Sequence, residues 1–301
     1  MKRIVSVSLG SSTRDHKAER EFFGEKYLIE RVGVDGSYEK FINKIKELDG
    51  KVDAIGMGGI GLYLPMKNRT YVLKSALPLL RAAKITPVAD GTFIRDTLEP
   101  QAVYKVRDKK LIDFKGKKAM VTCAVDRYRL AEALYESGCS IICADLIFTL
   151  GINVTVGYPR GINALARVFA PIVTKLPFDM LYPTGHREEA VEDPVKYAKL
   201  YREADIIAGD FNYIKRYMPD DLTGKVIITN TVTKANIEEL KSRKVAILVT
   251  TTPEFDGRSF GTNVVESIVV AASGKRPNEI SREEYQAYSE KLGFEPRVVI
   301  F

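Results

Sequence analysis

Tryptophan is absent from this sequence, histidine occurs twice and cysteine three times. Three thiols do not make a disulfide framework, and Cys123, Cys139 and Cys143 lack the paired CxxC spacing of a zinc site. All three fall in or beside one apolar strand–helix–strand stretch, so they read as small hydrophobes in a reducing compartment. No apolar run approaches the length that spans a bilayer. Met1-Lys2-Arg3 leads straight into the strand Ile4 to Ser8 without the pattern of a signal peptide. A cytoplasmic protein with no membrane partner and no metal centre is expected. Lysine and arginine exceed the acidic residues to give a net charge of +7. The densest basic runs, Lys105 to Lys118 and Lys241 to Lys244, carry no interleaved aromatics and match no nucleic-acid motif. They read as solvated surface, so no nucleic-acid partner is expected, although the excess suits an anionic substrate or cofactor.

Glycine is missing from one place where it matters. Gly116 to Asp145 reads as strand, turn, helix, strand: Ala119 to Cys123 is a short buried strand, Leu130, Ala131, Ala133 and Leu134 share a helical face, and Gly138 closes that helix. Ser140 to Ala144 is the second strand, and Asp145 stands about 20 residues past the first turn, where a dinucleotide fold holds the adenosine ribose. The turn that should read GxGxxG is instead Thr122-Cys123-Ala124-Val125-Asp126-Arg127. Thr122 and Ala124 are small enough to narrow a phosphate approach without closing it, while Arg127 replaces the glycine that lets helix and strand pack closely. Asp126 would compete with a phosphate for the backbone N–H groups. Two readings stay open: a modified dinucleotide site, or a Rossmann fold that binds something else or nothing here.

With 301 residues, 45% of them hydrophobic and 28% charged, the chain has room for two cores. The expected fold is α/β in two domains with an interdomain cleft: an N-terminal α/β domain over residues 1–114 and a C-terminal Rossmann-like parallel-sheet domain over 115–301. The first would hold strands at Ile4–Ser8, Tyr27–Val32, Val52–Met57 and Pro87–Ala89. It would also hold a helix capped by Ser37, a hairpin within Gly61–Leu73, a helix from Ser75 to Ala83, and a mostly helical Thr92–Val103. Gly56 to Gly61 is a literal GxGxxG, but Leu62-Tyr63-Leu64-Pro65 follows it in place of the helix that a phosphate site needs. In the second domain the alternation breaks around 146–193, with a helix from Gly161 to Leu176 and another starting at Pro194. Strands at Asp205–Gly209, Lys225–Thr229 and Val245–Val249 then each end on small polar residues, which would line the carboxyl edge of a parallel sheet.

The opening MKRIVSVSLGSS and the later GRSFGTNVVES make the chain resemble the two-domain Rossmann dehydrogenases, and among them the shikimate/quinate 5-dehydrogenase-like group. The resemblance covers the whole chain and implies an NAD(P)-dependent oxidation of a quinate- or shikimate-like compound. Ser6 and Ser8 replace the serine pair of that group. Gly151 to Arg160 echoes its NVTxPxK motif with an extra residue, with Arg160 where lysine belongs, and after the nucleotide turn instead of before it. The catalytic lysine is therefore not carried over.

Site residues follow from this frame. Thr122, Ala124, Arg127, Asp145, Asn230, Thr251 and Thr252 are the cofactor-binding candidates. Asp145 favours NAD over NADP, because its charge repels a 2′-phosphate. His186 and Asp210 are candidates for the acid/base role, against a loop histidine that caps backbone and an aspartate that caps the following helix. Ser12, Arg14 and Arg258 are the substrate-binding candidates, Arg258 as an anion contact. The expected function is an NAD(P)-dependent oxidoreductase acting on a small polar, anionic alcohol or carbonyl compound, in a chain that can form a homo-oligomer. The alternative is a non-catalytic Rossmann-like protein that binds a metabolite and regulates a partner.

Overall fold

The computed structural model describes residues 1–66, 69–175, 196–252, 254, 255, 258, 259 and 261–301. In chain order the first elements are β1 (Lys2–Ser8), β2 (His16–Phe22), β3 (Glu25–Gly33), α1 (Tyr38–Leu48), β4 (Ala54–Gly58), β5 (Tyr63–Met66), β6 (Arg69–Val72), α2 (Leu77–Ala82), β7 (Val88–Ala89) and α3 (Thr92–Asp108). They are followed by β8 (Lys118–Val121), α4 (Tyr128–Glu136), β9 (Ser140–Cys143), α5 (Asp145–Leu150), β10 (Val156–Gly157), α6 (Arg160–Val173) and α7 (Ala198–Glu203). The chain ends with β11 (Ile206–Gly209), α8 (Phe211–Arg216), β12 (Val226–Thr229), α9 (Lys234–Ser242), β13 (Ile247–Thr250), β14 (Glu254–Phe255), β15 (Arg258–Ser259), α10 (Thr262–Ser273), α11 (Arg282–Lys291) and β16 (Arg297–Ile300). Two compact α/β units result.

The first unit is built on a sheet of order β2-β3-β1-β4-β7. β3, β1, β4 and β7 run parallel, and β2 joins antiparallel at the edge. That edge strand is a departure from the sequence reading, which placed a polar loop up to His16 and no strand between it and Tyr27. Its sequence, HKAEREF, alternates in exposure and puts charges along the sheet margin, which blunts edge-to-edge pairing. Val5, Val7, Ile55 and Met57 pack on Phe41, Ile45 and Leu48 of α1 and Leu79 of α2. Ser37 caps α1 through Lys40 N–H, as its position before the apolar stripe predicts. The opposite face of β1, β4 and β7 is covered by α10. The expected boundary at 114/115 placed that helix and α11 in the second domain, but both belong to the first unit. Proximity in sequence to β13 misleads, because a two-sided parallel sheet needs a helix on each face. Gly56 makes this packing possible: a Cβ there would stand 2.9 Å from Asn263 Nδ2 and 3.1 Å from Ser267 Oγ. The literal GxGxxG thus serves helix–sheet contact.

The second unit has a sheet of order β10-β9-β8-β11-β12-β13-β16. β9, β8, β11, β12 and β13 are parallel, and β10 and β16 close the two edges antiparallel. Taken from β8, this is the 3-2-1-4-5-6 order of dinucleotide-binding domains, with an antiparallel strand in the third place. Ala119, Val121, Ile206, Ala208 and Ile228 face a core with Val103 and Val106 of α3 and Leu130 and Leu134 of α4. Met120, Ile207, Ile227 and Leu248 face another core with Phe148 of α5, Tyr201 of α7 and Ile214 of α8. Burial on both faces is why these strands read as short continuous apolar runs. The stretch after Asp145 is more regular than expected. It contains α5, β10 and α6, and Asp145 opens α5 where the sequence reading let it end a strand.

One long-range contact ties the first unit together. Glu266, the one charged residue of α10, is fully buried. Its carboxylate accepts the N–H groups of Gly91 (2.8 Å), Phe93 (2.9 Å) and Ile94 (3.0 Å) at the start of α3. Asp90 beside it accepts from Leu62 N–H, Tyr63 N–H and Thr92. Burial, with the charge of Asp90, pushes the Glu266 carboxyl up to about 8. A carboxyl whose folded value is raised contributes stability that is complete below its unfolded value and lost as pH climbs through the folded one. Unfolding free energy should therefore fall between about pH 4.5 and 8, by at most about 1.4 kcal/mol per pH unit for this one proton. In Glu266→Gln that part of the slope should vanish in denaturant melts across the range; an unchanged slope would remove Glu266 as its source.

Candidate functional site

The connections from β1 leave toward β3 on one side, while β4 lies on the other, so the carboxyl ends of β1 and β4 form the switch point of the first sheet. Here β1 ends on Ser8, the chain turns through Leu9 and Gly10, and a short 3₁₀ turn, Ser12–Arg14, follows with Ser11 as its cap. Arg31 on β3 reaches into this corner. Its guanidinium donates to Ser11 O (3.0 Å), to Asp15 Oδ1 (2.9 Å) and to Ser8 Oγ (3.1 Å). Gly10 N–H also donates to Ser8 Oγ, at 3.2 Å, which leaves the hydroxyl proton of Ser8 to point elsewhere. Gly10 is where the two arginines meet: a Cβ on it would lie 2.6 Å from Arg14 Nη2, 3.1 Å from Arg31 Nη2 and 3.5 Å from Ser8 Oγ. Burial and the neighbouring charge of Arg14 both lower the pKa of Arg31.

The two acids of the corner are already bonded, and neither pairs with Arg14. Asp15 Oδ1 accepts Gly33 N–H at 2.6 Å as well as Arg31. Asp35 accepts both the N–H (2.7 Å) and the hydroxyl (3.0 Å) of Ser12. Arg14 makes no ion pair among the described residues. Two guanidiniums held against each other, one of them without a counterion, form an arrangement that an anion relieves. Of the expected substrate-binding residues, Ser12 and Arg14 lie in this corner. The side chain of Arg258 lies outside the described residues, as does His186. Arg31 was missed by sequence reading because it sits inside an otherwise good strand, two residues before its carboxyl end; a charge at that place was the available signal.

The expected cofactor residues gather at the carboxyl edge of the second sheet, around the β8/β11 switch point. Six turn residues, 122–127, join β8 to α4. Asp145 reaches back into this turn, and its Oδ1 accepts Val125 N–H at 2.8 Å. Its other oxygen is buried without a hydrogen-bond partner, as is Oγ1 of Thr122. Burial pushes the Asp145 carboxyl up to about 6, against the pull of the Val125 and Ala124 N–H groups. Ala124 is fully buried. Arg127 is turned inward: it is ion-paired with Glu99 of α3 and, at 3.0 Å, with Asp210. Asp210 caps α8 through Asn212 N–H and also accepts Asn230 Nδ2 at 2.7 Å. Thr252 donates to Asn230 O at 3.1 Å, and Thr251 N–H bonds Thr229 O at 2.8 Å. The candidates are assembled, but they mostly hold one another.

A dinucleotide needs the turn's N–H groups for its pyrophosphate. Val125 N–H is already bonded to a carboxylate, and Arg127 is engaged with two others. The turn as folded does not fit that group. Among the described residues there is also no cluster of three or more histidine, cysteine or acidic side chains that could hold a metal ion, and no helix long and apolar enough to cross a membrane.

Family models match the chain in two pieces. One described as "Domain of unknown function (DUF8753)" matches residues 3–90, and one described as "Domain of unknown function (DUF8754)" matches residues 93–301. No curated protein matches the sequence. Among solved structures, shikimate 5-dehydrogenase from Thermus thermophilus is similar at 14% identity, with 98% of this chain and 100% of that one covered and a TM-score of 0.37. An ABC transporter solute-binding protein from Burkholderia multivorans is similar at 11% identity, covering 92% and 95%, with a TM-score of 0.41. Glutamate dehydrogenase from Thermus thermophilus is similar at 10% identity, covering 97% and 74%, with a TM-score of 0.40. Scores this low place no ligand and no activity in this chain.

The Arg127 network yields a stability test. Arg127→Leu leaves Glu99, 2% exposed, as a buried charge without its partner, and should cost about 3–5 kcal/mol. Arg127→Leu combined with Glu99→Leu should recover most of that loss in urea melts. Equal losses in single and double variants would mean that Glu99 does not depend on this partner.

Proposed function

We propose that this chain, which belongs to the family described as "Domain of unknown function (DUF8754)", binds a small anionic metabolite in its first unit. The ligand's carboxylate or phosphate is taken between Arg14 and Arg31 beside Gly10, with the Ser8 hydroxyl as a third donor. The observation that carries this reading is the convergence of both guanidiniums on the space above Gly10. Ser12, fixed by Asp35, holds the short turn that presents Arg14. A hollow lined by Gly33, Asp35, Lys40, Asn43 and the Lys44–Glu47 ion pair adjoins the corner and offers room for the rest of a small molecule. The role is one of binding or regulation, with no resident dinucleotide.

A second reading, an NAD(P)-dependent oxidoreductase acting on such an anion, is favoured by the 3-2-1-4-5-6 strand order of the second unit and by the place of Asp145 after its second strand. It requires Asp145 to leave Val125 and turn toward a ribose.

Succinate, inorganic phosphate and 3-phosphoglycerate, titrated separately by calorimetry and thermal shift, test the first reading. At least one should bind saturably. Hydrogen bonds to a charged group are worth about 1.5–3 kcal/mol, so Arg14→Ala should weaken that binding about 10- to 100-fold. Its melting temperature without ligand should stay unchanged, because Arg14 is exposed. Equal affinity in wild type and Arg14→Ala would exclude this corner.

A further inference from the structure

The turn between β8 and α4 stands where a dinucleotide fold binds phosphate, yet its Val125 N–H and its Arg127 guanidinium are taken by carboxylates of the chain itself. We infer that Asp145 acts as an internal anion that holds this turn shut, so that Asp145 and the phosphates of a nucleotide exclude each other from the same backbone N–H groups. Removing the carboxylate then opens a nucleotide site that the native chain keeps closed. This concerns the second unit and does not rest on the anion corner of the first.

The position is that of a phosphate turn in three respects. It lies at the switch point between β8 and β11. It leads directly into α4, nine residues long, whose N-cap Arg127 gives no side-chain cap to the helix N–H groups. The turn also closes against β11 through Thr122 N–H to Ala208 O at 3.0 Å, beside Gly209, whose φ of +138° is a glycine conformation.

Two buried atoms mark the place where something else would fit. Asp145 is 5% exposed and Thr122 fully buried, and each carries an oxygen without a partner among the described residues. A half-satisfied buried carboxylate is costly, because one oxygen has left water and gained nothing. The local charge works in the same direction as the geometry. Asp126 adds a second negative charge near Asp145. Arg127, the nearest cation in the turn, is spent on Glu99 and Asp210. An incoming pyrophosphate would meet two carboxylates and a neutralised arginine where a dinucleotide fold offers bare N–H groups.

The test uses the full chain at neutral pH with two probes, NADH followed by its fluorescence and ADP followed by thermal shift. Wild type should show no saturable binding of either up to about 1 mM, the weak end of the affinity scale. Asp145→Ala should gain at least about ten-fold in affinity for both probes, the effect of one charge-assisted contact. Asp145→Asn keeps an acceptor for Val125 N–H and loses only the charge. It should stay folded and gain a smaller part of the affinity, which protects the test if Asp145→Ala melts. Wild-type binding well below 1 mM that weakens in either variant would overturn the inference and return Asp145 to a ribose contact. Folded variants that bind neither probe would overturn it equally.

Discussion

Backbone N–H groups at the ends of strands and helices have to be satisfied once they are buried, and this chain meets that demand with carboxylates delivered from far along the sequence. Glu266 takes three N–H groups at the start of α3, more than 170 residues away. Asp49 takes those of Lys84, Ile85 and Thr86 ahead of β7. Asp205 takes Lys118 N–H where β8 begins, and Asp145 takes Val125 N–H after it ends. Each bond is individually modest, but leaving bare the buried donors, those of Gly91 and Ile94 among them, would cost about 1–3 kcal/mol each. The network fixes which segment meets which, and with it the composition of each unit.

The two units apply one α/β plan with opposite electrostatics. Both are sheets covered on two faces, with the switch point at the carboxyl ends of central strands. In the first, that point carries two arginines, of which Arg31 is paired with Asp15 while Arg14 has no ion pair among the described residues. In the second, it carries Asp126, Asp145 and Asp210, with Arg127 buried among carboxylates. A corner with a cationic donor to spare suits an anionic ligand; one whose Val125 N–H and Arg127 guanidinium are held by carboxylates suits one less until those bonds break. The fold alone would have assigned the ligand to the second unit. The side chains point to the first.

Much of the architecture was legible because its causes are local. Apolar runs of four or five residues marked β8, β9, β11, β12 and β13, and Ser37 and Gly138 marked a helix start and a helix end. The departure of Thr122 to Arg127 from a glycine-rich strand-to-helix turn could be read from spacing alone. Other features were hidden for equally physical reasons. β2 is mostly polar because it is an edge, so no apolar pattern announced it. Glu266 looked like one more residue of an apolar helix, although a lone acid among valines and isoleucines was the clue to its buried role.

By itself the sequence determined the α/β class, the order of most elements, the small polar residues at strand ends and the departure from a glycine turn. All of these depend on residues within a few positions of one another. Only the tertiary structure decided that α10 and α11 complete the first unit, that Arg14 and Arg31 converge over Gly10, and that Asp145 points back into its own turn instead of outward to a ribose. Those outcomes depend on which residues, 17 to 175 positions apart in the chain, come into contact. A spacing rule holds no record of that choice, because it is made by how the sheets bring their ends together.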